Sequence, residues 1–182
     1  QSYKMATKLD PSHPFDWLML GYAYALTGDY IQGAEHWQQA IEQIPEKAPA
    51  LVWAVISYRR LGDLKERTET WWEAIDRQPD NALTHAHLGV NLFFLGKSRE
   101  ATQPLHQAVK LDDNLAWAWF FLGKAYMAHV NIVSDRPNQR AVDAYRKVVS
   151  LCPGMDDLYC HLGKAYYQLG EHQEAVDALI DN

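Results

Sequence analysis

The chain has 182 residues, 48% of them hydrophobic and 22% charged, which is the composition of a folded globular protein and excludes disorder. A formal charge of −6, with no basic stripe, excludes binding to a phosphate backbone, which needs lysines and arginines to displace counterions. The two cysteines, Cys152 and Cys160, stand eight apart, neither a metal-ligand spacing nor a disulfide framework, so two free thiols are expected and no cofactor or metal site.

In chain order, Gln1 in place of Met and the lack of a signal peptide lead us to expect an internal segment of a longer protein. The first stretch of note is WLMLGYAYALTGDY, residues 17–30, which carries no charge before Asp29. An amphipathic helix buries one stripe and shows a polar one opposite; here both sides are apolar, so a second surface needs covering.

A shift of 34 residues superimposes the chain on itself. Trp17, Leu51, His85 and Trp119 share a column, followed by Leu20, Ala54, Leu88 and Leu122, and then Gly21, Val55, Gly89 and Gly123. Tyr24, Tyr58, Leu92 and Tyr126 come next, then Gly28, Gly62 and Gly96. Beyond these lie Gly33, Arg67 and Ala101, then Trp37, Trp71 and Leu105, then Ala40, Ala74 and Ala108, and finally Pro45, Pro79 and Asp113.

Tyr3, Ala6 and Pro11 precede Trp37, Ala40 and Pro45 by the same interval, so residues 1–13 read as the tail of a preceding repeat. Repeats then span 14–47, 48–81, 82–115 and 116–155, with a truncated fifth at 156–182, all in one domain. The fourth carries about six extra residues near 128–136 before Ala141, Tyr145, Val148 and Pro153 resume the pattern. There Ser134-Asp135 ahead of Pro137 predicts a cap and a helix start, with HVNIV either lengthening the preceding helix or looping out.

Each repeat reads as an antiparallel helix pair, in which Gly28 or Gly62 ends the first helix and Asp29 or Asp63 caps the second. Gly21, Gly89, Gly123 and Gly163 fall inside first helices, where glycine costs about 1 kcal/mol relative to alanine. The compensation expected is close approach of the partner helix, received by Ala40, Ala74 and Ala108. Pro45, Pro79 and Pro153 stand where second helices must end.

In these columns the chain resembles the tetratricopeptide repeat, with its aromatic residue, Leu-Gly, Tyr, Ala, aromatic, Ala and Pro. Repeat two departs from the pattern at Ala54, Val55 and Arg67, and repeat three has Asp113 for proline. The resemblance implies an all-α, right-handed superhelical solenoid of antiparallel helix pairs, whose first helices line a concave face that binds a peptide. The family's clamp for chaperone C-terminal tails uses lysine, asparagine and arginine on that face. The matching positions here hold Leu18, Tyr22, Trp53, Leu83 and His87, or, one repeat later, Val52, Ile56, His87, Trp117 and Phe121, so such a clamp is not expected.

Helical spacing puts Phe15, Leu18, Met19, Tyr22 and Leu26 on a stripe offset from the one that holds Trp17, Leu20, Gly21 and Tyr24. Its equivalents are Val52, Trp53 and Ile56, then Leu83, His87, Val90 and Phe94, then Trp117, Phe120, Phe121 and Lys124. Repeat five is more polar there, with Asp157, His161, Lys164 and Gln168. An aromatic surface of this kind suits an apolar or amphipathic protein segment, with Tyr22, Trp53, Trp117 and Phe121 as expected hot spots. The competing expectation is a structural self-association or assembly scaffold whose groove is filled by the chain itself or, in a homo-oligomer, by another copy; a weaker one makes it the regulatory part of a larger enzyme.

Catalytic motifs fail on spacing. LGKS at Leu95–Ser98 lacks the glycine a phosphate-binding loop needs at position 91, which is Asn91. His85 and His87 are two apart on a helix and face different ways, and Cys160-His161 has no third group to complete a nucleophile. The weakly polar run from Leu115 to Val133 approaches membrane-spanning length, but Lys124, His129 and Asn131 interrupt it.

Overall fold

In a computed structural model, residues 2–43, 64–128, 136–153 and 156–180 are described, and among them the fold is all-α. The helices are α1 (Ser2–Leu9), α2 (Pro14–Leu26), α3 (Tyr30–Gln43), α4 (Leu64–Arg77), α5 (Ala82–Phe94), α6 (Ser98–Leu111), α7 (Ala116–Met127), α8 (Arg136–Leu151), α9 (Asp156–Leu169) and α10 (His172–Ile180). The chain divides into two compact units, Gln1–Pro79 and Asp80–Asn182. In the first, α2 packs on α1 and α3, and α3 meets α4. In the second, each helix from α5 to α10 packs on the next, and the first helices α5 and α7 also touch.

The pairs turn back where the sequence places glycine. Gly28, Gly96 and Gly170 have φ of 84°, 78° and 83°, the left-handed region that a side chain disfavours. The amide after each glycine donates to a carbonyl five residues back: Asp29 to Tyr24, Lys97 to Leu92 and Glu171 to Tyr166, at 3.0, 3.0 and 3.1 Å. The glycine amide itself donates to the carbonyl three back, which completes the helix-ending turn. Asp29 then accepts from the Gln32 amide at 3.2 Å, the cap expected of it. Lys97 at the equivalent place offers no side-chain cap.

A second device recurs at the other end of the pair. The indole of Trp17 donates to the Pro11 carbonyl at 2.8 Å, and that of Trp119 to the Asp113 carbonyl at 2.9 Å. The Tyr159 hydroxyl donates to the Pro153 carbonyl at 3.1 Å. All three side chains occupy the first aromatic column, and each pins its helix to the turn that precedes it.

The glycines inside first helices meet large side chains, not the alanines expected. A Cβ built on Gly21 would lie 2.6 Å from Trp37 Cδ1, one on Gly123 would lie 2.6 Å from Tyr145 Cε1, and one on Gly163 would lie 3.0 Å from Leu179 Cγ. At Gly89 it would collide with Leu105. Trp37, Leu105, Tyr145 and Leu179 belong to one column, a turn before the alanines. Each glycine is thus a socket for the bulky residue of its partner helix. Ala40, Ala74 and Ala108 are buried too, so their small size serves the packing without receiving the glycine.

The added residues of repeat four leave α7 ending at Met127 and α8 starting at Arg136, with Pro137 in its first turn as the sequence predicts. Residues 129–135, which hold HVNIV and the Ser134-Asp135 cap, lie outside the described residues, as do 44–63 with Trp53 and Ile56. Among the described residues, no helix is long and apolar enough to cross a membrane.

Candidate partner-binding surface

In the first unit, α2 shows the doubled apolar surface that the sequence implies. Leu20, Gly21 and Ala25 are buried against the neighbouring helices. Trp17 and Tyr24 flank His36 of α3, with ring centroids 5.6 and 5.1 Å away. Loss of water around His36 is the main cause that lowers its pKa; Lys4 pushes the same way, and Glu35 and Asp29 oppose. The offset stripe stays in contact with solvent: Phe15 is 53% exposed and Leu26 63%, while Leu18, Met19 and Tyr22 are half-buried. Five apolar side chains at helical spacing, two of them more than half exposed, make a contiguous patch, which isolated surface hydrophobes do not.

The second unit handles the equivalent stripe differently. His87, Val90, Trp117, Phe120 and Phe121 are all buried, with Phe121 only 3% exposed. The expectation of open hot spots at Trp117 and Phe121 is therefore corrected: rings of the same chain cover them. Phe121 lies edge-on to Phe93, Phe94 and Phe120, with centroids 5.6, 5.6 and 5.7 Å away. His87 packs on Trp117 at 4.8 Å. Phe120 also meets His161 at 5.3 Å, and His161 stacks on Tyr145 at 5.7 Å. Edge-to-face rings at these separations add cohesion beyond area alone, so the cluster welds α5, α7, α8 and α9 together.

What remains accessible is the margin of this cluster. Phe93 and Phe94 at the end of α5 are half-buried, as are Leu83 and His161. Lys124 of α7 is half-buried as well, its Nζ 5.3 Å from the ring centroid of Phe120 and 5.8 Å from that of Phe93. Removal of water by these neighbours lowers its pKa. Among the described residues no carboxylate pairs with it. Burial raises the pKa of Tyr145, keeping the phenol neutral.

The arrangement therefore brings together Phe15, Leu18, Met19 and Tyr22 in one unit, and Phe94 and Lys124, with Phe120 and Phe121 beneath them, in the other. It moves His87, Val90, Trp117, Phe120 and Phe121 from surface to core. Phe93, absent from the sequence reading, joins the margin; its column holds Ala25 in repeat one, so period alone gives no reason to single it out. Among the described residues, no three His, Cys, Asp or Glu side chains gather as a metal ion would require.

The family model for the tetratricopeptide repeat matches residues 156–180, the span of α9 and α10. No curated protein matches the sequence. A crystal structure of MamA is 22% identical, covering 88% of this chain and 90% of its own with a TM-score of 0.61. A second MamA structure is 21% identical at a TM-score of 0.61, covering 92% and 88% respectively. YrrB, described as a tetratricopeptide protein with an unusual peptide-binding site, is 18% identical, covering 100% of this chain and 94% of its own at a TM-score of 0.56. At these identities the likeness is one of fold.

Proposed function

We propose, from the premise that this chain carries tetratricopeptide repeats and takes their helix-pair fold, that it is a non-enzymatic interaction module for an apolar or amphipathic protein segment. The observation that carries this is the second apolar stripe of α2, where Phe15 and Leu26 stay exposed beside Leu18, Met19 and Tyr22. A folded chain that leaves such a stripe in water has a use for it. The clamp positions support a partner unlike a chaperone tail, because Leu18, Tyr22, Leu83 and His87 supply no cationic fork for a terminal carboxylate. The peptide-binding site named for YrrB, which has the same fold, supports a peptide as the ligand.

The test uses the full chain as bait for a displayed library of random peptides. Recovered peptides should carry apolar residues at helical or alternating spacing. Replacing both Phe15 and Leu26 with serine should weaken them by at least about tenfold, since two exposed apolar anchors of a few kcal/mol together are lost. Because both side chains are solvated, the variant should melt within about 2 °C of the parent. Equal binding by parent and variant would show that the stripe is not the site. Light scattering covers the competing reading: a dimer that the two serines dissociate would assign the stripe to a second copy of the chain.

A further inference from the structure

The first helices of the second unit, α5, α7 and α9, have an uneven charge distribution. Their charged residues are Lys124, Lys164 and, in the opening turn of α9, Asp156 and Asp157. The acids of this unit's helices otherwise sit on second helices: Glu100 on α6, Asp143 on α8, Glu174 and Asp177 on α10. A chain of net charge −6 thus keeps acids off the body of its first helices and places lysines there.

Lys124 and Lys164 are equivalent positions of successive repeats, in the column that holds Tyr22, Ile56 and Val90 earlier in the chain. Their settings differ. Lys164 is exposed, whereas the Lys124 ammonium lies over Phe120 and Phe93 with part of its water removed and no carboxylate of the described chain against it. Ring faces attract a cation, but they satisfy none of its three N–H donors. A hydrated lysine at the surface would gain little from an ion pair. One already stripped of water by aromatic neighbours gains more, because the medium around the new bond is less polarisable and much of the desolvation has been met by the fold.

We infer that Lys124 is the specificity residue of a peptide site on the second unit alone, donating to an aspartate or glutamate side chain while the apolar residues beside that acid cover Phe93 and Phe94. The partner is therefore an acidic–apolar peptide, one whose carboxylate lies within a turn of its hydrophobic residues. This rests on the proposed binding of a peptide segment and adds the chemistry that selects it. The absence of opposing acids on α5 and on α7 is what makes the charge complementarity one-sided: it disfavours a lysine- or arginine-bearing segment as much as it favours an acidic one.

The experiment takes peptides selected from the displayed library on the full chain and resynthesises them with each acid changed to its amide. Selected sequences should be enriched in Asp or Glu among apolar residues. Changing the critical Glu to Gln should weaken binding by about tenfold or more to the parent and by less than about twofold to Lys124→Met. Lys124→Arg should restore the preference, since a guanidinium keeps the charge and packs on the same rings. Lys164→Met, at the exposed equivalent, should change binding by less than about twofold. Circular dichroism of Lys124→Met should match the parent, because methionine fills the same space against the rings.

Apolar peptides that bind equally well as acid or amide, and lose affinity on Phe94→Ser, would overturn the role of Lys124 and leave peptide binding standing. A library from which the full chain selects nothing would overturn both.

Discussion

At the residue scale, the glycine sockets make the most direct demand on stability. Gly123→Ala should destabilise the protein by about 1–3 kcal/mol, since strain against Tyr145 outweighs the helix preference gained. A lowered urea midpoint at unchanged slope would register it. Close approach at these glycines was legible from their position inside a helix. The residue received was not, because a column alignment says which residues are equivalent and not which turn of the partner crosses above. His36 gives a pH test of the first unit. Its folded value lies below the ordinary 6.5, so the unfolded chain takes up the proton first. This contribution to stability is complete above pH 6.5 and is lost as the pH falls through the folded value. Melting temperature should fall between about pH 6.5 and pH 5 in the parent more than in His36→Gln, whose side chain does not titrate there.

At the element scale, the turns and pins decide where each helix starts and stops. Gly96→Ala should cost about 1–2 kcal/mol by forcing a side chain into the left-handed region. Tyr159→Phe removes only the hydroxyl that holds α9 to the Pro153 carbonyl, and should cost about 0.5–1 kcal/mol in thermal unfolding. The glycine turns were plain in the sequence, since Gly28-Asp29 interrupts two apolar stretches and no other residue serves as well. The pins were only half legible. The aromatic column of Trp17, Trp119 and Tyr159 is visible, but its residues read as core until the bond to a carbonyl six residues earlier is seen. Added residues beside α8 left the pin on the following repeat intact, which agrees with the small cost of lengthening a connection.

At the scale of the whole molecule, the all-α helix-pair fold could be read from a period of 34 residues, whereas the surface could be read only in part. Periodicity assigns two apolar faces to each first helix and is silent on which one neighbouring helices will seal. The answer differs between the units: Phe15 stays open on α2, and Phe121 closes under Phe93, Phe94 and Phe120. Phe121→Ala should therefore act on folding, losing about 3–5 kcal/mol as a core aromatic does, and its effect on a partner cannot be separated from that loss. The paired serines at Phe15 and Leu26 should spare folding and affect association alone. The sockets also bear on how a chain of look-alike segments sorts itself. Trp37, Tyr145, Leu105 and Leu179 supply three kinds of plug, Trp, Tyr and Leu, for four glycine recesses that share one backbone pattern. A helix that brought Trp37 or Tyr145 to a recess shaped around leucine would carry an ill-fitting plug, so these two aromatics discourage mispairing while the nascent polypeptide is still being assembled.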